Sequence, residues 1–256
     1  MTAATEGVTT VTTPDLTGRH LVVLGGSSGI GFGTATAAAA AAARVTVVSS
    51  SASRVKAAVD MLPGSGQHDG RAVDLTDPDA ISELFAEFDA IDHLVYTAGE
   101  PLALMGLSDL ELPRARDAFT LRYFSALWSV HAAVPRLRRG GSIALTTGVA
   151  GERPGPGWAV AASICGAVVS LTRALAVELA PAGIRVNAVA PGVVRSPLWS
   201  SMSEDSREQM YQDMAATIPV GRVGEVDDIA AAYLFLMNEQ FATGTVLTID
   251  GGTVLA

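Results

Sequence analysis

Cysteine is almost absent from this sequence, and basic residues are scarce relative to acidic ones. The single cysteine, Cys165, has no disulfide partner within the 256 residues, which fits a reducing compartment, and we expect a cytoplasmic protein. Lysine and arginine total 17 against 26 aspartates and glutamates, for a formal net charge of -9. This charge disfavours binding to nucleic acid or to acidic membranes, and we expect neither as a partner.

The sequence also lacks a hydrophobic run of membrane-spanning length and a secretory signal. The longest apolar run, around Ala37 to Ala43, is rich in alanine and too short to cross a bilayer. The N-terminal stretch MTAATEGVTTVTTPD has neither the basic start nor the apolar centre of a signal peptide. We expect a flexible arm at residues 1–15 and one domain over residues 16–256.

Hydrophobic residues are abundant, at 49%, whereas charged residues make up only 17%. This balance favours a sheet that is covered on both faces, and the length suits one large α/β domain. Apolar, β-branched runs alternate with helical patterns, which predicts right-handed βαβ crossovers. The predicted fold is a doubly wound Rossmann α/β domain with a mostly parallel sheet of roughly seven strands.

The alternation gives approximate positions for these elements. We expect strands at residues 20–24, 45–49, 71–75, 93–99, 142–147, 184–190 and 245–250. We expect helices at residues 30–43, 54–62, 78–88, 114–137, 158–179 and 225–237. Three polar residues are predicted to have structural roles. Asn187 forms hydrogen bonds with the backbone, Asp250 shapes a C-terminal turn, and Asp92 is a turn residue before a strand.

The strand pattern stops between Val194 and Val220, after the C-terminal end of a predicted strand. That position favours a lid-like insertion at about residues 194–220. The same segment equally fits two short helices whose larger side chains form a local core. The residues concerned are Pro197, Trp199, Met202, Met210, Tyr211 and Met214.

A glycine-rich turn, LGGSSGIG, follows the first predicted strand and opens the first predicted helix. Glycines at this place allow a tight turn and close approach of backbone N–H groups to a pyrophosphate, and the helix N-terminus supplies partial positive charge. No lysine follows, so the turn is not a Walker loop. The predicted phosphate-binding residues are Gly25, Ser27, Ser28, Gly29, Ile30 and Gly31.

Several further motifs follow the glycine-rich turn in a fixed order. They are VDLTD at 73–77, TAG at 97–99, IRVNAVAPG at 184–192 and TGTVLTIDGG ending at residue 252. Together with GGSSGIG, this series resembles the short-chain dehydrogenase/reductase family over nearly the whole chain from Leu16. The resemblance implies a dinucleotide, with Asp74 and Leu75 at the adenine, Ala98 and Gly99 along the adenosine, and Pro191, Gly192 and Val194 towards the nicotinamide.

The second predicted strand ends VVSSSASR, without an aspartate or glutamate to accept from a ribose 2′-hydroxyl. Ser50, Ser51 and Arg54 are suited instead to hold a 2′-phosphate, so we expect NADP(H) to be favoured over NAD(H). Arg54 is equally suited to be a solvated helix residue.

The resemblance also implies a tyrosine, a lysine four residues later, a serine and an asparagine as the proton relay. The positions that match the tyrosine and the lysine hold Val160 and Ile164, which cannot ionise. The serine position falls on Gly148 or Thr147, depending on how the spacing is counted. The asparagine position holds Arg122.

Other polar residues are candidates to replace the missing groups. The candidate catalytic residues are Thr147, Arg122, Tyr96 and Tyr123. Arg153 and Trp158 lie on a loop expected to border the substrate. Each has a structural alternative, since Tyr96, for example, fits equally as a packing residue. His131 is interpreted as a packed or interface residue. We expect no metal site.

Three hypotheses for function follow. The first is an NADP(H)-dependent oxidoreductase acting on a small or polycyclic apolar substrate, with a non-standard proton donor or a substrate that needs hydride alone. The second is a non-redox enzyme, such as a cyclase, dehydratase or isomerase. The third is a catalytically inert subunit that pairs with an intact homologue. In each case we expect assembly, most simply a homo-dimer or homo-tetramer.

Overall fold

The computed structural model describes residues 15–64, 66–102 and 104–256. The predicted N-terminal arm lies outside these residues except for Asp15. A single sheet of seven strands has the order β3-β2-β1-β4-β5-β6-β7, and every pair of neighbouring strands is parallel. The prediction of a doubly wound Rossmann domain is therefore confirmed.

The strands are β1 His20–Leu24, β2 Arg44–Ser49, β3 Asp69–Ala72, β4 Ile91–Tyr96, β5 Leu137–Thr146, β6 Arg185–Pro191 and β7 Val246–Ile249. The helices are α1 Gly29–Ala40, α2 Ala52–Met61, α3 Pro78–Ala86, α4 Leu112–Phe119, α5 Ser125–Ala133, α6 Ala159–Leu179, α7 Glu204–Ala215 and α8 Val226–Asn238. Side chains of α1, α2 and α8 share one hydrophobic core with the sheet, and those of α3, α5 and α6 share another. Both faces of the sheet are thus covered.

The predicted helix at 114–137 is interrupted in the structure. It consists of α4, a π-helical turn at Thr120–Phe124, α5 and a short 3-10 turn at Val134–Arg136. The predicted C-terminal end was wrong, because Leu137 already begins β5. The first helix is also shorter than expected: it ends at Ala40, and Ala42 adopts a left-handed φ of 65° that terminates the helical path.

Asp92 lies inside β4 rather than in a turn before it, which corrects the prediction. Its buried carboxylate accepts hydrogen bonds from the His20 amide at 2.9 Å, from Arg19 at 3.1 Å and from Arg138 at 2.8 Å. These bonds hold the pKa of Asp92 below its usual value although burial acts in the opposite direction. The pairing between β4 and β5 shifts register beside it, between Ile91 and His93.

The other two structural assignments are confirmed. The Asn187 amide group donates to the Ala242 carbonyl at 2.9 Å and its oxygen accepts from the Thr245 amide at 3.1 Å. The Asp250 carboxylate accepts from the amides of Gly252 and Val254, and so closes the C-terminal turn.

Helix α6 is long and apolar. The helical stretch Ala159–Ala182, 24 residues with a mean hydropathy of 1.8, is long and apolar enough to cross a membrane by length and composition. This stretch corrects the prediction that the sequence lacks a hydrophobic run of membrane-spanning length. Core helices of globular proteins pass the same test, and buried α6 residues such as Val168 and Leu171 belong to the hydrophobic core beneath the sheet.

The segment after β6 folds into a short 3-10 turn, Pro197–Trp199, followed by α7. Trp199, Tyr211, Ile218 and Val223 form a small hydrophobic cluster of their own. Trp158, Met202, Met210 and Met214 are among the half-buried residues that pack against it. Their packing agrees with the interpretation that these residues form the core side of short helices.

Candidate active site

The predicted phosphate-binding turn is packed tightly between β1, the TAG turn and α1. Gly25 has a φ of +85°, and a Cβ there would lie 2.6 Å from the Ala98 amide nitrogen. A Cβ on Gly31 would lie 2.3 Å from the Gly25 carbonyl oxygen and 2.4 Å from Thr97 Oγ1. Side chains are therefore excluded at both positions, which keeps the backbone of the turn accessible to a ligand.

The N-terminus of α1 faces this turn without neutralising groups. Ser28 is the N-cap residue, but its side chain makes no capping hydrogen bond, and the first turn contains no acidic residue. Ser28 is exposed, Ser27 and Gly29 are half-buried, and Ile30 is half-buried against the core. An uncapped helix N-terminus beside a glycine turn suits the pyrophosphate of a dinucleotide.

The predicted adenosine contacts lie after β3 and β4, at the same edge of the sheet as the phosphate turn. Asp74 is exposed and accepts from the amide and hydroxyl of Thr76 at 2.9 and 2.7 Å, bonds that lower the pKa of Asp74. Leu75 is buried, and Asp77, not Asp74, caps α3. Ala98 and Gly99 follow β4 and contact the turn through Ala98.

The residues expected to hold a 2′-phosphate lie at the end of β2. Ser51 caps α2, since its hydroxyl accepts from the Arg54 amide at 3.4 Å, and it also contacts the Ser53 hydroxyl at 3.1 Å. Ser50 and Arg54 are exposed. The Arg54 guanidinium makes no ion pair with any residue that the structure describes, so its charge is available to a ligand.

Pro191 ends β6, and Gly192 and Val194 follow it at the same edge. A Cβ on Gly192 would lie 2.8 Å from the Asp250 Cα, so only glycine fits this approach to the turn after β7. Val194 is buried, and its carbonyl accepts from the Trp199 indole at 3.1 Å. Pro197 packs over the phosphate turn, because its Cδ would lie 3.1 Å from a Cβ on Gly29.

An open cleft of about 690 Å³ lies beside Pro197, and Arg195 and α7 form part of its wall. Arg195 binds both oxygens of Glu208 on α7, at 2.6 and 3.0 Å, and reaches Glu225 at the start of α8 at 3.5 Å. Its guanidinium also lies 4.5 Å from the centre of the Tyr211 ring. Arg195 thus joins β6, α7 and α8 at one point.

Val160 and Ile164 lie one helical turn apart at the start of α6. Val160 is half-buried against the core, and Ile164 is only 5% exposed. Thr147, at the end of β5, donates its hydroxyl proton to the Cys165 carbonyl at 2.9 Å. Gly148 is next to it, where a Cβ would lie 3.4 Å from Cys165 Sγ.

The four tyrosines of the chain are all placed away from a lysine. Tyr96 is buried, and its hydroxyl donates to the Leu121 carbonyl in the π-helical turn; burial raises its pKa. The Tyr123 ring packs edge-on against Phe119 and Phe124. Tyr211 contacts Arg195, as described above.

The fourth tyrosine, Tyr233, is fully buried and shares a hydrogen bond of 2.6 Å with Thr146. The sequence contains a single lysine, Lys56, and the structure places it on α2 with a 77% exposed side chain paired with Asp60 at 2.6 Å. The sequence alone therefore shows that no lysine lies on α6.

Arg122, in the π-helical turn, lies against the TAG turn. Its Nη1, Cζ and Nη2 atoms are 2.7, 2.8 and 2.9 Å from where a Cβ of Gly99 would stand. Its Nε donates to Glu100 Oε1 at 3.1 Å, and Nη2 donates to the Glu100 carbonyl. Glu100 is not among the site residues predicted from the sequence, where its only signal is that it directly follows TAG.

The remaining candidates are held by other contacts. Arg153 donates to the Thr253 carbonyl in the C-terminal turn, and Trp158 packs edge-on against Trp199 at 6.4 Å between ring centres. His131 is exposed and lies over the Trp128 ring at 4.7 Å. Within residues 15–64, 66–102 and 104–256, no group of three or more His, Cys, Asp or Glu side chains could hold a metal ion.

Comparison with known proteins identifies relatives over nearly the full length. A family profile described as Enoyl-(Acyl carrier protein) reductase matches residues 25–254. The short-chain dehydrogenase/reductase fsr5 of Gibberella fujikuroi is 35% identical over 94% of this chain and 96% of its own. The profile match and the relative each cover nearly the whole chain, so one family accounts for the domain.

Solved structures agree with this placement. A small-chain dehydrogenase in complex with NADPH is 34% identical, with a TM-score of 0.80 over 93% of this chain and 99% of its own. The MalC Reductase/Diels-Alderase of Malbranchea aurantiaca is 28% identical, with a TM-score of 0.87 over 94% and 98% of the two chains. This chain therefore belongs to the short-chain dehydrogenase/reductase family of oxidoreductases, whose fold binds a nicotinamide cofactor.

Proposed function

We propose that this protein is a divergent member of its family that uses NADP(H) without the usual tyrosine and lysine, and that it reduces a substrate needing hydride alone. The observation that carries the proposal is the apolar pair Val160 and Ile164 on α6, combined with a cofactor turn that accepts no side chain at Gly25 or Gly31. The bound cofactor supplies the hydride.

The side chains around α6 decide which substrates suit this site. Reduction of a ketone adds a hydride and a proton, whereas reduction of an iminium cation to a neutral amine needs only the hydride. Thr147 has committed its hydroxyl proton to the Cys165 carbonyl, and Tyr96 has committed its own to Leu121. Loss of a positioned general acid typically slows a reaction that needs a proton by about 10²–10⁴-fold. An iminium cation needs no proton, so an iminium cation on a small or polycyclic apolar skeleton is the favoured substrate class.

The experiment compares two acceptors of similar shape. N-methyl-3,4-dihydroisoquinolinium carries a permanent iminium, and 2-tetralone is a neutral bicyclic ketone. With the purified protein and NADPH, we expect the cation to be reduced at least about 100-fold faster than the ketone. Transfer of deuterium from C4-deuterated NADPH to the amine product checks that the hydride comes from the cofactor. Equal rates for the two acceptors, or no turnover of the cation, would refute the proposal.

The preference for NADP(H) is part of the same proposal. The exposed Ser50 and Arg54 stand at the end of β2 beside Ser51, and the described part of the chain offers Arg54 no carboxylate partner. A solved relative holds NADPH. We expect NADPH to bind more tightly than NADH in a fluorescence titration, and the reverse order would overturn the preference.

A second candidate function is non-redox cyclisation. A structure with a TM-score of 0.87 to this chain is named a Reductase/Diels-Alderase, so this fold supports a cycloaddition in one relative. The apolar Val160 and Ile164 suit such a substrate because cycloaddition transfers no proton. Product formation without NADPH oxidation would favour this candidate over the first.

Assembly and location complete the proposal. Exposed apolar side chains on α5 and α6, Trp128 and Val177 among them, favour a homo-dimer or homo-tetramer. The single cysteine favours a cytoplasmic location, and the position of 194–220 after β6 favours a lid. A third candidate, an inert subunit of a hetero-oligomer, predicts co-purification with a homologue that carries tyrosine and lysine. Light scattering of the purified protein measures the oligomeric state.

A further inference from the structure

The Glu100–Arg122 ion pair has the position of a ligand-binding group. Arg122 lies against Gly99, and the TAG turn in turn touches the phosphate-binding turn through Ala98 and Gly25. Arg122 belongs to the π-helical turn at Thr120–Phe124, and this turn packs against α6. The pair therefore lies between the phosphate-binding turn and α6.

Each partner of the pair retains an unused polar atom. Glu100 Oε2 is shielded from solvent and has no hydrogen-bond partner among the described residues, although the Glu100 side chain as a whole is 41% exposed. Arg122 uses Nε and Nη2 for Glu100, and Nη1 makes no hydrogen bond within the described part of the chain. A buried carboxylate oxygen without a partner costs free energy, so an external donor is the natural completion.

The chemistry of the pair indicates what that donor is. One carboxylate and one guanidinium carry no net charge together, so a cation would be attracted by Glu100 and repelled by Arg122. A hydroxyl group both donates and accepts, and a vicinal diol offers two such groups at adjacent positions. The unused acceptor of Glu100 and the unused donor of Arg122 match a sugar diol better than an ion.

We propose that Glu100 and Arg122 bind the hydroxyls of the nicotinamide-side ribose of the cofactor. Glu100 Oε2 accepts from one hydroxyl and Arg122 Nη1 donates to the diol. The inference rests on the proposed use of NADP(H), and it assigns to this pair the ribose contact that the absent lysine would otherwise make. Both residues are positioning residues, since neither exchanges a proton with the substrate.

The experiment compares the whole cofactor with its adenosine half. NADPH contains the nicotinamide ribose, whereas 2′,5′-ADP lacks it but keeps the 2′-phosphate and the adenosine contacts. Both ligands are titrated by calorimetry into the full-length protein and into Glu100→Ala, Glu100→Gln and Arg122→Ala. Glu83→Ala, at an exposed position on α3, is the matched control for the loss of a carboxylate. Thermal melting of each variant shows whether it is folded.

We expect the Glu100 and Arg122 alanine variants to bind NADPH at least about tenfold more weakly and 2′,5′-ADP within about twofold of the parent. The double alanine variant should lose less than the product of the two single losses, because the residues act as a unit. If Glu100→Ala is unstable, the same two affinities are compared for the isosteric variant Glu100→Gln.

Two results would overturn the inference. Unchanged NADPH affinity would show that the pair does not contact the cofactor, and equal weakening of both ligands would place the contact on the adenosine half. These titrations contain no substrate, so they are separable from the proposed reaction. Failure of iminium reduction leaves the ribose assignment intact, and normal iminium reduction with unchanged NADPH affinity refutes the ribose assignment alone.

Discussion

Acidification is expected to destabilise this protein through His93, a histidine in the central strand β4. The side chain is only 4% exposed, and its Nδ1 shares a hydrogen bond of 2.8 Å with the Ser142 hydroxyl on β5. Burial lowers the pKa of His93 from 6.5 to about 4. The folded protein therefore keeps His93 neutral at pH values at which the unfolded chain is already protonated.

The size and sign of the effect follow from linkage. Well above pH 6.5 the histidine is neutral in both states and contributes no pH dependence. Between 6.5 and about 4 only the unfolded state takes up the proton, so stability falls as the pH falls. Over the whole range the loss of stability amounts to about 3 kcal/mol, of which about 2 kcal/mol occurs by about pH 5.

Urea denaturation at pH 7 and pH 5 measures this loss. Carboxylates also titrate in this range, so the comparison needs a variant in which only the histidine is removed. His93→Leu combined with Ser142→Ala replaces both partners and leaves neither hydroxyl nor imidazole unpaired. We expect the parent to lose about 2 kcal/mol more than this double variant between the two pH values. An equal loss in both proteins would show that His93 is protonated in the folded state.

Three further predictions concern the cofactor and the chemistry. Gly31→Ala should weaken NADPH binding at least about tenfold in a fluorescence titration, because its Cβ would lie 2.3 Å from a backbone carbonyl; the control Gly166→Ala, with nothing within 4 Å, should leave binding unchanged. Arg54→Ala should weaken NADPH binding at least about tenfold and leave NADH binding unchanged. An equal effect on the two affinities would show that Arg54 does not contact the 2′-phosphate. Val160→Tyr with Ile164→Lys should raise 2-tetralone reduction at least about tenfold, measured by NADPH oxidation; a folded, NADPH-binding double variant without this gain would contradict the proposed role of these positions.

The fold was largely predictable because its signals are local. Alternating apolar runs and helical patterns mark the seven strands, and the glycine turn directly after β1 marks the phosphate-binding edge. The errors lie where local signals are absent. The alanine-rich end of α1 gives no sign that the helix stops at Ala40, and nothing in RRGG indicates that β5 begins at Leu137.

The active site was only partly predictable, because its polar contacts join distant segments. Tyr96 is a catalytic candidate in the sequence, but the structure pairs its hydroxyl with the Leu121 carbonyl of the π-helical turn, which the sequence does not mark. Tyr96 stays an untested candidate. Glu100 and Arg122 are 22 residues apart in the chain, and only the fold shows that they form a pair.

Arg195 has a mechanical consequence for the cleft beside Pro197. Its guanidinium forms ion pairs with Glu208 on α7 and with Glu225 at the start of α8 at the same time. While both ion pairs persist, α7 cannot move away from α8. Displacement of α7 therefore either carries Arg195 away from Glu225 or breaks the contacts of Arg195 with both Glu208 and Tyr211, because these two residues lie on α7. Because the Arg195, Glu208 and Glu225 side chains are exposed to solvent, dissolved salt weakens these ion pairs. We therefore expect the width of the cleft to depend on ionic strength.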